Sequence, residues 1–198
     1  MTLHAYLALV GLFALERVAE MLLSRRNARR AVAAGAVEVG RGHYAAMVPF
    51  HAAFLAACAA EALAFPAPPP RVARLAVALA LAAQALRWWS VATLGERWNT
   101  RILAVPGAAP VTGGPYRYLR HPNYVAVVIE LAALPLAWGS WRTAIVFSVG
   151  NAALLAVRIP AEERALGAAY AAAFSTTPRF VPAARPTARP VAPGGGPR

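Results

Sequence analysis

Long uninterrupted apolar stretches leave this chain few ways to fold. Leu3 to Leu23 is predominantly apolar, and as a helix rising about 1.5 Å per residue it matches a hydrocarbon layer roughly 30 Å thick. Ala46 to Phe65 and Val72 to Leu94 repeat the pattern. Two shorter runs, Tyr124 to Trp138 and Trp141 to Val157, are separated only by Gly139 and Ser140 and predict a tight helical hairpin slightly short for the bilayer. Lipid offers no partner to a backbone N–H or C=O, so such runs must be helical. The expectation is an all-α integral membrane protein with about five transmembrane helices. Composition agrees, with 59% of the 198 residues hydrophobic and 14% charged, where a soluble domain carries about a quarter charged. A single soluble core is excluded.

Charge sets the direction of threading. All 20 basic residues are arginine, all 8 acids are glutamate, and the formal net charge is +12. The connection after the first run carries Arg25, Arg26, Arg29, Arg30 and Arg41, and the one after the third carries Arg97, Arg101, Arg117 and Arg120. The opposite connections hold only Arg71, Arg74 and Arg142. Positive charge stays inside, which predicts a multi-pass inner (cytoplasmic) membrane protein with its N-terminus outside and its C-terminus cytoplasmic. Arginines at the ends of apolar runs point to membrane lipids as partners and not to nucleic acid. The first run has no basic leader and no cleavage site before Arg25, so it is expected to be retained. A lone Cys58 and the scattered His4, His43, His51 and His121 supply neither a disulfide framework nor a metal site.

Beyond Val157 the chain changes character. Arg158 to Phe174 places Ile159, Leu166, Tyr170 and Phe174 on one helical face, with Pro160 at a permitted first-turn position, and predicts a separate C-terminal cytoplasmic helix. Glu163 falls near the middle of that apolar face and Glu162 at its edge, so a carboxylate there needs a partner. The expected division is a membrane domain over 1–175 and a disordered Pro/Gly-rich tail over 176–198.

Polar chemistry is concentrated on the cytoplasmic side. The densest stretch, Gly113-Gly114-Pro115-Tyr116-Arg117-Tyr118-Leu119-Arg120-His121-Pro122-Asn123-Tyr124, immediately precedes the fourth run. Glycine and proline shape its backbone, and Pro122 opens a helix, leaving His121 at a terminus whose free N–H groups favour an electron-rich ligand atom. An interfacial anchor of tyrosines and arginines accounts for the same residues equally well.

Gly114 to Tyr124, followed across the hairpin by Arg158-Ile159-Pro160-Ala161-Glu162-Glu163-Arg164-Ala165-Leu166-Gly167-Ala168-Ala169-Tyr170, closely resembles the paired signatures of the isoprenylcysteine carboxyl methyltransferase family. The resemblance covers roughly residues 94 to 181. Toward the N-terminus, Glu16-Arg17, Arg25-Arg26-Asn27, Gly35, Glu38 and His43-Tyr44 resemble a bacterial branch similar to the alkylpyrone and alkylresorcinol O-methyltransferases that accompany polyketide synthases. The resemblance implies a membrane enzyme that uses S-adenosyl-L-methionine, held by residues 95–175. Carried over by motif, Tyr118, Leu119, Arg120, His121, Tyr124, Arg158, Glu162, Glu163 and Tyr170 bind the cofactor. A lipophilic small molecule or lipidated acceptor is methylated on a carboxylate or hydroxyl oxygen. For Glu163 the plainer role is a salt bridge to Arg120 or Arg158 that docks the last helix.

A hydroxyl acceptor needs a base, and an ionisable residue deep in a span is a candidate by default. Glu130 is that candidate, with pairing to Arg87 as its structural alternative. Arg97 and Arg101, at the exit of the third run, are expected to face the acceptor head. Glu16, Arg17 and Glu20 are candidates for a substrate channel, while His51 suits a core position. Two alternative functions share the architecture: a phospholipid amine N-methyltransferase, and a reductase-like or non-catalytic membrane protein.

Overall fold

The computed structural model describes residues 1–65 and 70–181. Five helices carry the fold: α1 (Leu3–Ala33), α2 (Arg41–Ala64), α3 (Ala73–Leu94), α4 (Pro122–Leu136) and α5 (Trp141–Ala173). Two three-residue strands, β1 (Val37–Val39) and β2 (Ile102–Ala104), pair antiparallel with Val37 opposite Ala104 and Val39 opposite Ile102. The all-α class holds, with this short ribbon added to it.

Alanine decides the packing. Ala76, Ala80 and Ala83 of α3 are buried, and small side chains let helix backbones approach closely where no hydrophobic effect drives them together. α3 accordingly packs chiefly on α4, which packs next on α5. Tyr6 and Phe13 of α1, Phe54 and Cys58 of α2, and Leu131 and Leu134 of α4 form the main core. Tyr6 stacks on Trp138 with ring centroids 5.6 Å apart. Leu15, Leu75, Val146 and Val149 stay exposed on the outside, as lipid-facing positions should.

Tyr44–Ala64, Ala73–Arg97 and Trp141–Ala173 are long and apolar enough to cross a membrane. α4 is apolar but has only 15 residues, and α1 is interrupted by Glu16, Arg17 and Glu20. The chain is therefore a helical membrane protein.

Two boundaries differ from expectation. α1 runs ten residues past Leu23, through the arginine cluster, because Ser24 and Asn27 on its inner face are buried against the loop after α3 while Arg25, Arg26 and Arg29 point to solvent. The segment after Arg158 is no separate helix: α5 continues through Pro160, and the chain turns only at Gly167, whose φ of 74° and ψ of −165° are open to glycine. Of the stretch expected as a tail, Thr177 and Pro178 return to Arg120 and Arg179 to Glu163, while its residues 182–198 lie outside the described residues.

Candidate active site

The turn before α4 is shaped from its own residues outward. Gly114 has a φ of 53°, and a Cβ there would collide with the Thr93 side chain at the end of α3, so glycine lets this loop lie against that helix. One tight turn, Gly114–Arg117, follows and buries Tyr116. Burial raises the Tyr116 hydroxyl pKa, and the nearby Glu162 charge adds to this, so the group stays a neutral donor. The Arg120 backbone N–H then donates to the Pro178 carbonyl at 2.9 Å, and its Nε to the Thr177 carbonyl at 2.5 Å. A strap from beyond α5 thus fixes the residue before His121.

α4 and α5 meet through a polar chain. His121 Nε2 lies 3.1 Å from Glu163 Oε1. Arg179 of the strap grips the same carboxylate with both ends of its guanidinium, 3.0 Å from Oε1 and 2.5 Å from Oε2, which raises the Arg179 pKa. One turn along, the Tyr124 hydroxyl donates to Glu162 and accepts from Arg158 Nε at 2.8 Å. Arg158 Nη2 reaches the Thr100 carbonyl at 2.5 Å, but its Nη1 is buried with no partner. Tyr170 and Phe174 continue the wall, their ring centroids 4.6 Å apart.

Below this pole opens a cavity of about 780 Å³, within the usual range for ligand sites. Arg120, His121, Tyr124, Arg158, Glu162 and Tyr170 line it, as do Arg97 and Arg101. Both of the latter sit at its exposed rim, Arg97 donating to the Ala109 carbonyl at 2.5 Å and Arg101 lying 3.5 Å from Glu38 and over the Tyr44 ring. They hold the walls as well as face the space. At the other end, Val18 and Met21 of α1 and Met47, Val48 and Leu55 of α2 give the wall an apolar lining around Arg17, Glu20, His51 and Arg87.

Four expected site residues lie off the cavity. Tyr118 is exposed beneath Arg117, and Leu119 is buried with Pro115, Val125 and Phe180 around a separate small hollow, because the turn at Gly114–Arg117 aims both away from the cavity. Glu163 stands behind His121 as the docking carboxylate, joined to Arg179 and, at 3.7 Å, to Arg120. Glu130 is 1% exposed and accepts hydrogen bonds from Arg87 and Gln84, so its carboxylate is committed to the helix interface and is not a free base.

Other positioning residues were not foreseen. Asn27 donates to the carbonyls of Gly95 at 3.1 Å and Trp98 at 2.8 Å, and Ser24 bonds Asn99 at 2.9 Å. Thr100 donates to the Tyr44 hydroxyl at 3.1 Å. A Ser24-x-x-Asn27 spacing, one hydroxyl and one amide on the same helical face beside an arginine cluster, is the signal the sequence offers.

A cavity of this size, walled by α1 to α5 and carrying charged side chains at its polar pole, is a ligand site of a helical membrane protein. The Isoprenylcysteine carboxyl methyltransferase (ICMT) family profile matches residues 76–168, and the chain belongs to this family of membrane methyltransferases. It is 38% identical over 158 residues to the uncharacterized protein YpbQ of Bacillus subtilis, covering 80% of this chain and 94% of YpbQ. It is also 29% identical over 155 residues to an uncharacterized protein of Haemophilus influenzae, covering 76% and 88% of the two chains.

Proposed function

We propose that the chain is an inner-membrane O-methyltransferase that takes S-adenosyl-L-methionine from the cytoplasm and a lipophilic acceptor from the bilayer. The observation that carries this is Arg158 Nη1, a buried cationic donor without a partner on the cavity wall. A guanidinium left with an open donor suits a carboxylate, and the cofactor has one. Glu162, on the same wall, suits hydroxyl or ammonium hydrogens, and the faces of Tyr124 and Tyr170 suit a ring or a cation. The residues present therefore fit the cofactor, which supplies a methyl group to an acceptor oxygen. His121, Glu163 and Arg179 orient the wall, and the strap through Thr177 and Pro178 holds Arg120 in place on it.

The apolar end supports a long-chain or prenyl acceptor bearing a carboxylate or hydroxyl, since each methylene kept in an apolar setting is worth roughly 0.8 kcal/mol. A charged donor and a greasy acceptor then enter from different sides. Five spans with the N-terminus outside put the arginines after α1 and α3, and this whole pole, in the cytoplasm.

Calorimetric titration of the solubilised protein with S-adenosylhomocysteine tests the reading. Binding is expected, and at least roughly tenfold weaker in Arg158→Met, which leaves the facing carboxylate unpaired. Binding of NADPH in its place overturns the proposal and favours a reductase. Transfer of labelled methyl to phosphatidylethanolamine, and not to an oxygen acceptor, would make the protein an N-methyltransferase.

A further inference from the structure

The arginine end of α1 has two opposed faces. At about 100° per residue, Leu15, Leu22, Arg25, Arg26 and Arg29 fall within one arc of roughly 100°, and Glu20, Ser24 and Asn27 lie across the helix from it. The inner face is buried and tied down. Ser24 Oγ donates to Asn99 at 2.9 Å and accepts from the Thr100 backbone N–H at 3.1 Å, while Asn27 holds the Gly95 and Trp98 carbonyls. The outer face is open: Leu15 and Leu22 are 69% and 60% exposed, and the three arginines that follow them are exposed too. These guanidinium groups therefore stand on a turn that is fixed to the bundle from behind.

No side-chain carboxylate of the chain is left to balance them. Glu96 pairs with Arg30. The other glutamates are engaged elsewhere: Glu16 and Glu20 with Arg17, Glu38 with Arg41, Glu61 with Arg142, Glu130 with Arg87, Glu162 with the Tyr124 hydroxyl and Glu163 with Arg179. The sequence contains no aspartate. Arg25 and Arg29 are one turn apart, as are Arg26 and Arg30, so like charges repel along this helix end and weaken it. The missing negative charge has to come from outside the chain.

Depth in the membrane selects its source. With 31 residues α1 is about 46 Å long, against a hydrocarbon layer of roughly 30 Å. Leu15 and Leu22 belong to the length that hydrocarbon covers, and Arg25, Arg26 and Arg29 come next on the same face, at the level of the lipid phosphates. An acyl chain lying on the two leucines thus brings its own headgroup under the guanidinium forks, which take phosphate oxygens two at a time. A zwitterionic headgroup would also carry an ammonium to the patch, where it is repelled.

We propose that Arg25, Arg26 and Arg29 bind the headgroup of a phospholipid of net negative charge, with an acyl chain along Leu22 and Leu15, and that the bound lipid steadies the docked end of α1. None of these five residues lines the cavity, so the site is separate from it and stands whether or not the protein transfers a methyl group.

Native mass spectrometry of the full chain, released from detergent containing equal amounts of dioleoyl phosphatidylglycerol and dioleoyl phosphatidylcholine, tests this. The wild type should retain phosphatidylglycerol at least roughly tenfold over phosphatidylcholine, since each basic residue at a membrane surface favours negative lipid by about fivefold. Changing Arg25→Gln, Arg26→Gln and Arg29→Gln together should lower that ratio at least roughly fivefold. Arg71→Gln with Arg74→Gln, at the other end of α3, should leave it unchanged. A wild type without the preference overturns the proposal, and this measurement decides the matter even if a variant does not fold. Equal loss in the Arg71 and Arg74 variant also overturns it, because total charge and not this face would then be read. Excess glycerol 3-phosphate should not displace the lipid; displacement would make the patch a site for free phosphate and overturn the lipid assignment. In nanodiscs, phosphatidylglycerol should raise the melting temperature of the wild type and not of the triple variant, as a ligand of the folded state does. An equal rise in both overturns the steadying role.

Discussion

Arg158 holds the Tyr124 hydroxyl at 2.8 Å, and that hydroxyl is in turn donated to Glu162, so one phenol joins the cation of α5 to a carboxylate one turn further along the same helix. Without it, a buried guanidinium and a half-buried carboxylate would meet the cavity with no fixed geometry. Tyr124 comes from α4, so this phenol also ties the two helices together beside the wall they share.

Tyr124→Phe keeps the ring and removes only that link. The change leaves a buried charged donor short of one acceptor, which costs about 1–3 kcal/mol. S-adenosylhomocysteine affinity should fall roughly tenfold while the helical circular-dichroism signal is unchanged. Unaltered affinity would show that the phenol does not order the pole.

Arg87 and Glu130 pair in the most enclosed part of the bundle, 3% and 2% exposed at their side chains. Removing one partner strands the other, so Glu130→Ala and Arg87→Met should each destabilise by about 3–5 kcal/mol, whereas the double change to Arg87→Met and Glu130→Met should recover most of the loss. Thermal unfolding in detergent measures this. If Glu130 were a base held for chemistry, Glu130→Gln would abolish methyl transfer with the melting temperature unmoved, and the expected order is the reverse.

Glu163 and Arg179 make a bidentate pair with Arg179 nearly half exposed, so the stability at stake is small, about 0.2–1 kcal/mol. Its effect should appear in order, not in melting. Arg179→Glu places like charges together and should speed hydrogen exchange over 118–124, since the strap also caps the Arg120 backbone. Reversing both charges, Glu163→Arg with Arg179→Glu, should restore part of the protection, and added salt should weaken the difference between the two proteins.

The apolar runs located α2, α3, α4 and the start of α5 within about five residues because lipid imposes one answer on such stretches, and the Arg120-His121-Pro122 turn did prove to meet the Glu162-Glu163 stretch, although that stretch continues α5 and is no separate helix. Other features left weaker traces. Val37–Val39 and Ile102–Ala104 are three residues each, too short for an alternating pattern, and they pair only because the chain between them returns. The motif named Tyr118 and Leu119, but a motif carries no direction, and the tight turn before them points both away from the cavity. Proline and glycine counts suggested a tail from 176, although Arg120 uses the carbonyls of Thr177 and Pro178 as its partners. Glu130 was legible as buried and charged. Which of Glu20 and Glu130 faces the cavity depends on helix rotation, which hydropathy does not fix.

Asn27 tests how far the cytoplasmic extension of α1 matters. It is 1% exposed, and its amide supplies hydrogen bonds to the carbonyls of Gly95 and Trp98, which end α3 and begin the loop carrying Arg97 to Arg101. Asn27→Leu fills similar space but leaves both carbonyls to water or to nothing, at a cost of about 1–3 kcal/mol. Because Thr100 hands its carbonyl to Arg158 from that loop, the loss should reach the cofactor pole. Weaker S-adenosylhomocysteine binding is expected together with a lower melting temperature, and Asn27→Asp should rescue neither, since a carboxylate cannot donate to a carbonyl. A variant with wild-type affinity would mean that the arginine-rich end of α1 holds the loop without shaping the site.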